Sequence, residues 1–223
     1  MPKTAGTALR VALTQAYGPE LRVFADTDGR RFEGLNPDDY DLYSGHFGYR
    51  TALALDGDMI TVFRNPVDRF ISVYFFWRQL YDKGVERSRN TTLAMRYSLD
   101  EFVAIRDEPF LIEEFFNRAT WQIAYGSMLQ QRHEIRDQGK SEDEVFRMAS
   151  THLQDFALIG VQERLREFAD QLRQKFGVDL AINRINVTEA KLDKADIRIR
   201  TLKTIHEWTY MDLELYQRVL EAT

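Results

Sequence analysis

The residues best suited to chemistry stand in two short stretches. Pro2-Lys3-Thr4-Ala5-Gly6-Thr7 sets a fixed cation, hydroxyl side chains and a glycine directly ahead of a helical pattern. Backbone N–H groups at a helix N-terminus point outward unpaired, the helix dipole favours negative charge there, and glycine permits close backbone approach. The stretch predicts an anion-binding loop. Downstream, Arg64-Asn65-Pro66-Val67-Asp68-Arg69-Phe70-Ile71-Ser72 follows the apolar, β-branched run Met59-Ile60-Thr61-Val62-Phe63. An arginine leaving the carboxyl end of a parallel strand lies where α/β sheets bind ligands, and its guanidinium grips phosphate bidentately. Ser72 falls about two turns into the following helix and can add a hydroxyl. One loop for one anion, with an arginine–serine pair for another, suits a ligand carrying two separated phosphate groups. Arg69 reads equally well as the ion-pair partner of an acid across its helix.

The elements that must hold these groups can be read in order. Residues 7–17 carry apolar side chains at helical spacing, and Gly18-Pro19 stops them. Short strands are expected at Leu21 to Ala25 and at Asp41 to Ser44, with a turn at Asp26-Thr27-Asp28-Gly29 between them. The run 59–63 is the strongest strand. Asn65 then offers an N-cap and Pro66 suits the first helical position, so a helix is predicted to about Asp82, with Gly84 beyond it. Ser98…Glu101 and Ser141…Glu144 fit the capping box. Phe110 to Met128 reads as helical, 156–161 as a buried strand, and Arg164 to Phe176 as an amphipathic helix ending at Gly177. Residues 178–193 read as loop, and 194–221 as helix with a break near Glu207. Strands alternating with helices predict one α/β domain over 1–223 with a mostly parallel sheet and a helical insertion at about 85–153.

Composition narrows the class. The chain has 223 residues, 44% of them hydrophobic and 29% charged, which is enough apolar material for a real core. It contains no cysteine, so a disulfide framework, a thiolate metal site and a cysteine nucleophile are excluded. A formal net charge of −5 does not favour nonspecific nucleic-acid binding. No apolar run reaches bilayer length and no signal-peptide pattern opens the chain, so a cytoplasmic location is expected. The nucleotide triphosphatase loop needs G-x-x-x-x-G-K-[ST]; here Lys3 precedes Gly6, which does not support ATP or GTP hydrolysis.

Taken together, the motifs resemble the PAPS-dependent carbohydrate sulfotransferases, where PAPS is 3′-phosphoadenosine 5′-phosphosulfate. Pro2-Lys3-Thr4-Ala5-Gly6-Thr7 is similar to their phosphosulfate loop, P-K-T-[AG]-G-T. Arg64-x-Pro66-x-x-Arg69-x-x-Ser72-x-Tyr74 is similar to their 3′-phosphate motif. The likeness is to the branch that includes heparan sulfate 2-O-sulfotransferases and their bacterial relatives. Ser44-Gly45-His46-Phe47-Gly48-Tyr49, Ile159-Gly160-Val161-Gln162-Glu163-Arg164, Ile185-Asn186-Val187-Thr188 and Asp212-x-x-Leu215-Tyr216 agree in order.

The resemblance implies a P-loop-like three-layer fold and transfer of a sulfuryl group from PAPS to a hydroxyl of a carbohydrate or glycolipid acceptor, without a metal. It implies that Lys3 stabilises the leaving 5′-phosphate and that Thr4, Ala5, Gly6, Thr7 and Ala8 surround that phosphate. Arg64 and Ser72 would hold the 3′-phosphate, and Arg184 and Thr188 would close over the nucleotide. The acceptor hydroxyl then needs a base, and His46 is the leading candidate: an imidazole titrates near neutrality, with an unperturbed pKa of about 6.5. Gly45 and Gly48 are expected to leave room for the acceptor. Asp39, Asp41 and Glu33 remain alternatives, because the His-Gly-His arrangement of the heparan sulfate enzymes has Ser44 in place of its first histidine.

In that family an apolar strand ending in His-Ile-Pro-Lys precedes the loop. Here Met1 stands directly before Pro2, so the expected sheet either lacks its first strand or continues upstream. Two other functions compete: a PAPS-binding protein or scaffold that has lost catalysis, and a small-molecule kinase, the latter disfavoured by the order of the loop. Trp77, Trp121 and Trp208 are expected in the core, and His133, His152 and His206 at the surface or in packing.

Overall fold

The computed structural model describes residues 4–26, 32, 35–126, 140–180 and 194–222. Lys3, Glu33, Arg184 and Thr188 lie outside these residues, as do His133, Thr27 to Gly29 of the first turn and the C-terminal end of the helix expected over 110–128.

The described residues form a mixed α/β structure with two small parallel sheets. Strands β1 (Val23–Asp26) and β2 (Leu42–Gly45) pair in one sheet; β3 (Ile60–Phe63) and β4 (Leu158–Val161) pair in the other. Register runs from Val23 opposite Leu42 to Asp26 opposite Gly45, and from Ile60 opposite Leu158 to Phe63 opposite Val161. The single mostly parallel sheet expected from the strand–helix alternation is thus two separate ladders among the described residues. All four strands fall where the sequence predicts them, within two residues. Which strands pair is decided by contacts far apart in the chain, which local periodicity does not encode.

The β3–β4 sheet carries helices on both faces, as alternation along parallel strands requires when both faces are covered. Val62 packs with Leu9 and Leu13 of helix α1 (Gly6–Tyr17) and with Phe168 and Leu172 of a helix over Leu165–Phe176. Ile60, Leu158 and Leu42 of β2 join that cluster, so both sheets lie under the same helical layer. On the opposite face Phe63, Ile159 and Val161 meet Trp121, Ala124, Val145 and Leu215. Gly160 belongs to the first face, where a Cβ would sit 2.3 Å from the Phe168 ring. Full burial of side chains such as Phe63 and Val161 stabilises by about 1.5–3 kcal/mol each.

The unit after β3 forms from local signals. Helix α3 spans Pro66–Asp82, following a short α2 at Tyr49–Ala54. The Asn65 side chain accepts from Val67 N at 3.1 Å and from Asp68 N at 3.2 Å, and Pro66 occupies the first turn, where its missing N–H costs nothing. Beyond it come α4 (Arg89–Arg96), α5 (Leu99–Phe102), α6 (Pro109–Phe115), α7 (Arg118–Ala124) and α8 (Glu142–His152). The helix at Leu165–Phe176 is α9, and α10 (Ile199–Trp208) and α11 (Tyr210–Ala222) end the described chain. Both expected capping boxes form, at Ser98 and Ser141.

The stretch 110–128 is not one helix. It breaks at Phe116-Asn117, where Asn117 adopts φ 47°, a left-handed conformation that asparagine tolerates better than most residues. The break is held by reciprocal capping with α11. Asn117 Oδ1 accepts from Met211 N at 2.9 Å, while Asp212 accepts from Ala119 N at 3.0 Å and from Thr120 N and Oγ1 at 2.8 Å each. Burial pushes the Asp212 carboxyl above its ordinary range, with the Thr120 and Ala119 hydrogen bonds opposing it. Trp121 and Trp208 are core residues, as expected, and Trp208 donates to Val103 O at 2.9 Å.

Candidate functional site

The carboxyl ends of the strands gather the predicted residues. Arg64 follows the last residue of β3 and His46 the last residue of β2. Gln162 to Arg164 leave the end of β4 beside Arg64, and Asn65 N donates to Glu163 Oε1 at 3.0 Å. Helix α1 leads into β1 through Gly18 to Arg22 and packs against Val62 of β3 through Leu9 and Leu13. Glu114 of α6 joins helices at this site. It pairs with Arg69, just inside α3, and lies close enough to His46 to respond to its charge.

At the start of α1, Ala5 adopts φ 66° and no side chain caps the helix. The first turn of α1 holds no acid of its own, and Gly6 and Thr7 are exposed. A Cβ built on Gly6 meets nothing within 4 Å, so glycine there is not required by internal packing. Thr4 and Ala8, also expected around the anion, are buried at 3% and 5% exposure; their backbone rather than their side chains faces that role.

Arg64 is half-buried. Burial holds its guanidinium below the ordinary value, and the carboxylates of Asp68 and Glu163 oppose that shift. An anion approaching Arg64 therefore also meets the field of two acids. Ser72 is half-buried on α3 two turns from Pro66. Tyr74 of the same motif is a packing residue: it is 2% exposed, donates to Tyr97 O at 2.8 Å and accepts from Arg78 at 2.9 Å. Tyr216, the last residue of the C-terminal motif, is drawn in as well. Burial first, then the charge of Glu163 and a hydrogen bond to it, raises its phenol.

Of the two readings of Arg69, the ion pair holds. Its guanidinium is 3% exposed, donates to Glu114 Oε1 at 2.6 Å and also reaches Glu114 O. Arg118 stands 4.0 Å from the same carboxylate and 3.7 Å from Glu113. Burial pushes the Glu114 carboxyl up, but Arg118, Arg69 and His46 outweigh it and hold it below the usual glutamate range.

Two expectations about the His46 loop need correction. Gly45 and Gly48 do not open space for an acceptor. A Cβ at Gly45 would lie 2.2 Å from Asp26 O and within 2.8 Å of the Phe32 ring; one at Gly48 would lie 2.2 Å from Gly126 Cα. Both glycines are demanded by the chain's own close packing. Of the alternative bases, Asp41 is committed to Arg22, which donates to it through side chain at 2.8 Å and backbone at 2.9 Å. Asp39 is exposed at the end of a 3-10 turn, three residues before β2. His152 packs against the Tyr49 ring at 3.8 Å, and His206 is exposed.

Glu114, Arg118 and Gln122 were not singled out from the sequence. The signal was there: polar residues recur at intervals of four within the apolar stretch 110–124, too regular for an outer face of a buried segment.

The chain matches no protein-family model and no curated protein sequence. Among the described residues no group of three or more His, Cys, Asp or Glu side chains is placed to hold a metal ion, and no helix is long and apolar enough to cross a membrane.

Proposed function

We propose that the protein is a sulfotransferase that moves the sulfuryl group of PAPS to a hydroxyl of a carbohydrate-type acceptor, on a P-loop-like fold. Three observations support this reading: α1 opens with no acid in its first turn and an exposed Gly6, Arg64 directly follows β3, and His46 directly follows β2. The open side of Gly6 fits the 5′-phosphate end of such a donor, because a ligand oxygen can occupy the space where a Cβ would meet nothing. Arg64 fits the 3′-phosphate, with Ser72 of α3, Arg184 and Thr188 assigned to the nucleotide by resemblance.

PAPS supplies an activated sulfuryl group on a good leaving phosphate. The protein positions the two reacting oxygens and stabilises charge. His46 takes the proton of the acceptor hydroxyl as the acceptor oxygen bonds to sulfur. Lys3 and the backbone N–H groups of residues 5–8 stabilise the 5′-phosphate oxygen that departs with the electron pair of the broken S–O bond. Adenosine 3′,5′-bisphosphate and the sulfated acceptor are the products. Replacing Lys3 with Ala is expected to lower turnover about a hundredfold, the scale of losing one oxyanion donor; unchanged turnover would remove Lys3 from the reaction.

Glu163 offers a second check. Gln at this position keeps an acceptor for Asn65 N–H and removes a negative charge beside Arg64. Glu163→Gln should therefore tighten binding of adenosine 3′,5′-bisphosphate about fivefold, or about 1 kcal/mol, measured by calorimetry. Weaker binding would mean that Arg64 does not meet the nucleotide.

Labelled PAPS offered with a panel of glycans and glycolipids tests the activity itself. Label appearing in an acceptor supports transfer. Saturable PAPS binding with no transfer across the panel would favour a nucleotide-binding scaffold instead, a reading to which the two acids around Arg64 lend some weight.

A further inference from the structure

We infer that Gln122 is the positioning residue for His46, an assignment that rests on the sulfotransferase reading for its catalytic consequence but not for its geometry. His46 is the one residue between two rigid anchor points. On one side, Gly45 is fixed in the β1–β2 ladder opposite Asp26, where the neighbouring backbone and the Phe32 ring leave no space for a Cβ. On the other, the chain is attached to α7. Gln122 Nε2 donates to Phe47 O at 2.6 Å, Gly48 lies against Gly126, and Arg50 N donates to Tyr125 O at 3.2 Å. The Gln122 bond is the nearest of these attachments to His46 in the chain.

Gln122 is a poor choice for stability alone. It is 4% exposed, and its Oε1 has no hydrogen-bond partner among the described residues. A buried acceptor without a partner is destabilising, and an apolar side chain of equal length would fill the same space without that cost. The amide orientation is fixed by chemistry, because turning it over would set Oε1 against the Phe47 carbonyl oxygen. What only glutamine supplies is the donor that holds the carbonyl following His46. The platform for that donor is itself rigid: the first turn of α7 is bound by Asp212 through Ala119 and Thr120. The route runs from α11 through α7 to the loop that aims the imidazole.

The test uses the full chain with Gln122→Met, which matches the length and lacks the donor, and with Gln122→Glu, which places a carboxylate at the same reach. Two readouts are taken: steady-state transfer from PAPS, and the imidazole proton resonances of the four histidines, assigned by His→Asn replacements. Both variants are expected to lower kcat about tenfold with KM for PAPS within about twofold of the parent. The His46 resonance should shift or broaden while that of the exposed His206 stays in place. A His46 resonance and kcat identical to the parent would overturn the assignment. So would a uniform change in all four resonances with loss of PAPS binding, since that is general unfolding of the site. If Gln122→Met does not fold, Gln122→Glu is read against the same outcomes. Should the parent protein transfer no sulfuryl group, the functional reading fails, and the resonance of His46 still decides whether Gln122 positions it.

Discussion

Glu114→Ala is expected to destabilise the protein by about 3–5 kcal/mol, a large share of the roughly 5–15 kcal/mol that holds a domain of this kind folded. The cost comes from what is left behind. Arg69 is 3% exposed and Arg118 7%, and both turn toward the Glu114 carboxylate, which is itself only 15% exposed. Removing the acid leaves the buried Arg69 guanidinium without its carboxylate, while Arg118 keeps Glu113 at 3.7 Å. Glu114→Gln should lose less, because an acceptor for Arg69 remains. Urea denaturation followed by tryptophan fluorescence measures both. The pH dependence has a definite sign. The folded-state pKa of Glu114 lies below the ordinary value of about 4.3, so its stabilisation is fully present above that pH. It is lost as pH falls through the depressed folded value, and the Glu114→Gln variant should lose that part of the acid sensitivity. A stability for Glu114→Ala within about 1 kcal/mol of the parent would show that the cluster is wetter than its burial indicates.

His46→Ala is expected to reduce turnover about a thousandfold, within the usual range for a positioned general base. Nucleotide affinity should stay within about twofold of the parent, because His46 follows β2 while the phosphate contacts proposed above come from α1 and from the β3–α3 unit. The alternatives have narrowed. Asp41 already accepts a bidentate arginine and a backbone N–H, and a carboxylate so engaged is a weak base. His46 instead directly follows β2, on the loop that Gln122 ties to α7 through Phe47 O. Single-turnover measurement at saturating PAPS checks this. Full activity would move the base elsewhere; equal loss of binding and turnover would make His46 a structural residue.

How much of this was readable in the sequence depended on how local each cause is. The β3–Arg64–α3 unit was legible almost to the residue, because Asn65, Pro66 and Gly84 are signals that act within one turn. The two capping boxes and the Gly177 helix stop were legible for the same reason. The sheet was not, since the pairing of β3 with β4 joins residues about a hundred positions apart. The break at Asn117 was hidden because its cause, capping exchanged with Asp212, also lies about that far along the chain. Glycine was the instructive error: Gly45 and Gly48 marked a close approach correctly, but the approaching atoms belong to Asp26, Phe32 and Gly126. Within the site, Arg64 and His46 came from local motifs. The Glu114 cluster with Arg69 and Arg118 needed three helices brought together in space.

In the proposed sulfotransferase, the N-terminus of α1 and Arg64 after β3 hold a nucleotide with phosphates at both its 3′ and 5′ positions. Calorimetric titration with adenosine 3′,5′-bisphosphate and with ATP, at one ionic strength, tests it most directly. ATP carries as much negative charge or more, so general attraction would favour it or leave the two equal. The account predicts that adenosine 3′,5′-bisphosphate binds at least about tenfold more tightly, and that Arg64→Ala abolishes the preference. Equal affinity for the two nucleotides, or a preference that survives Arg64→Ala, would contradict it.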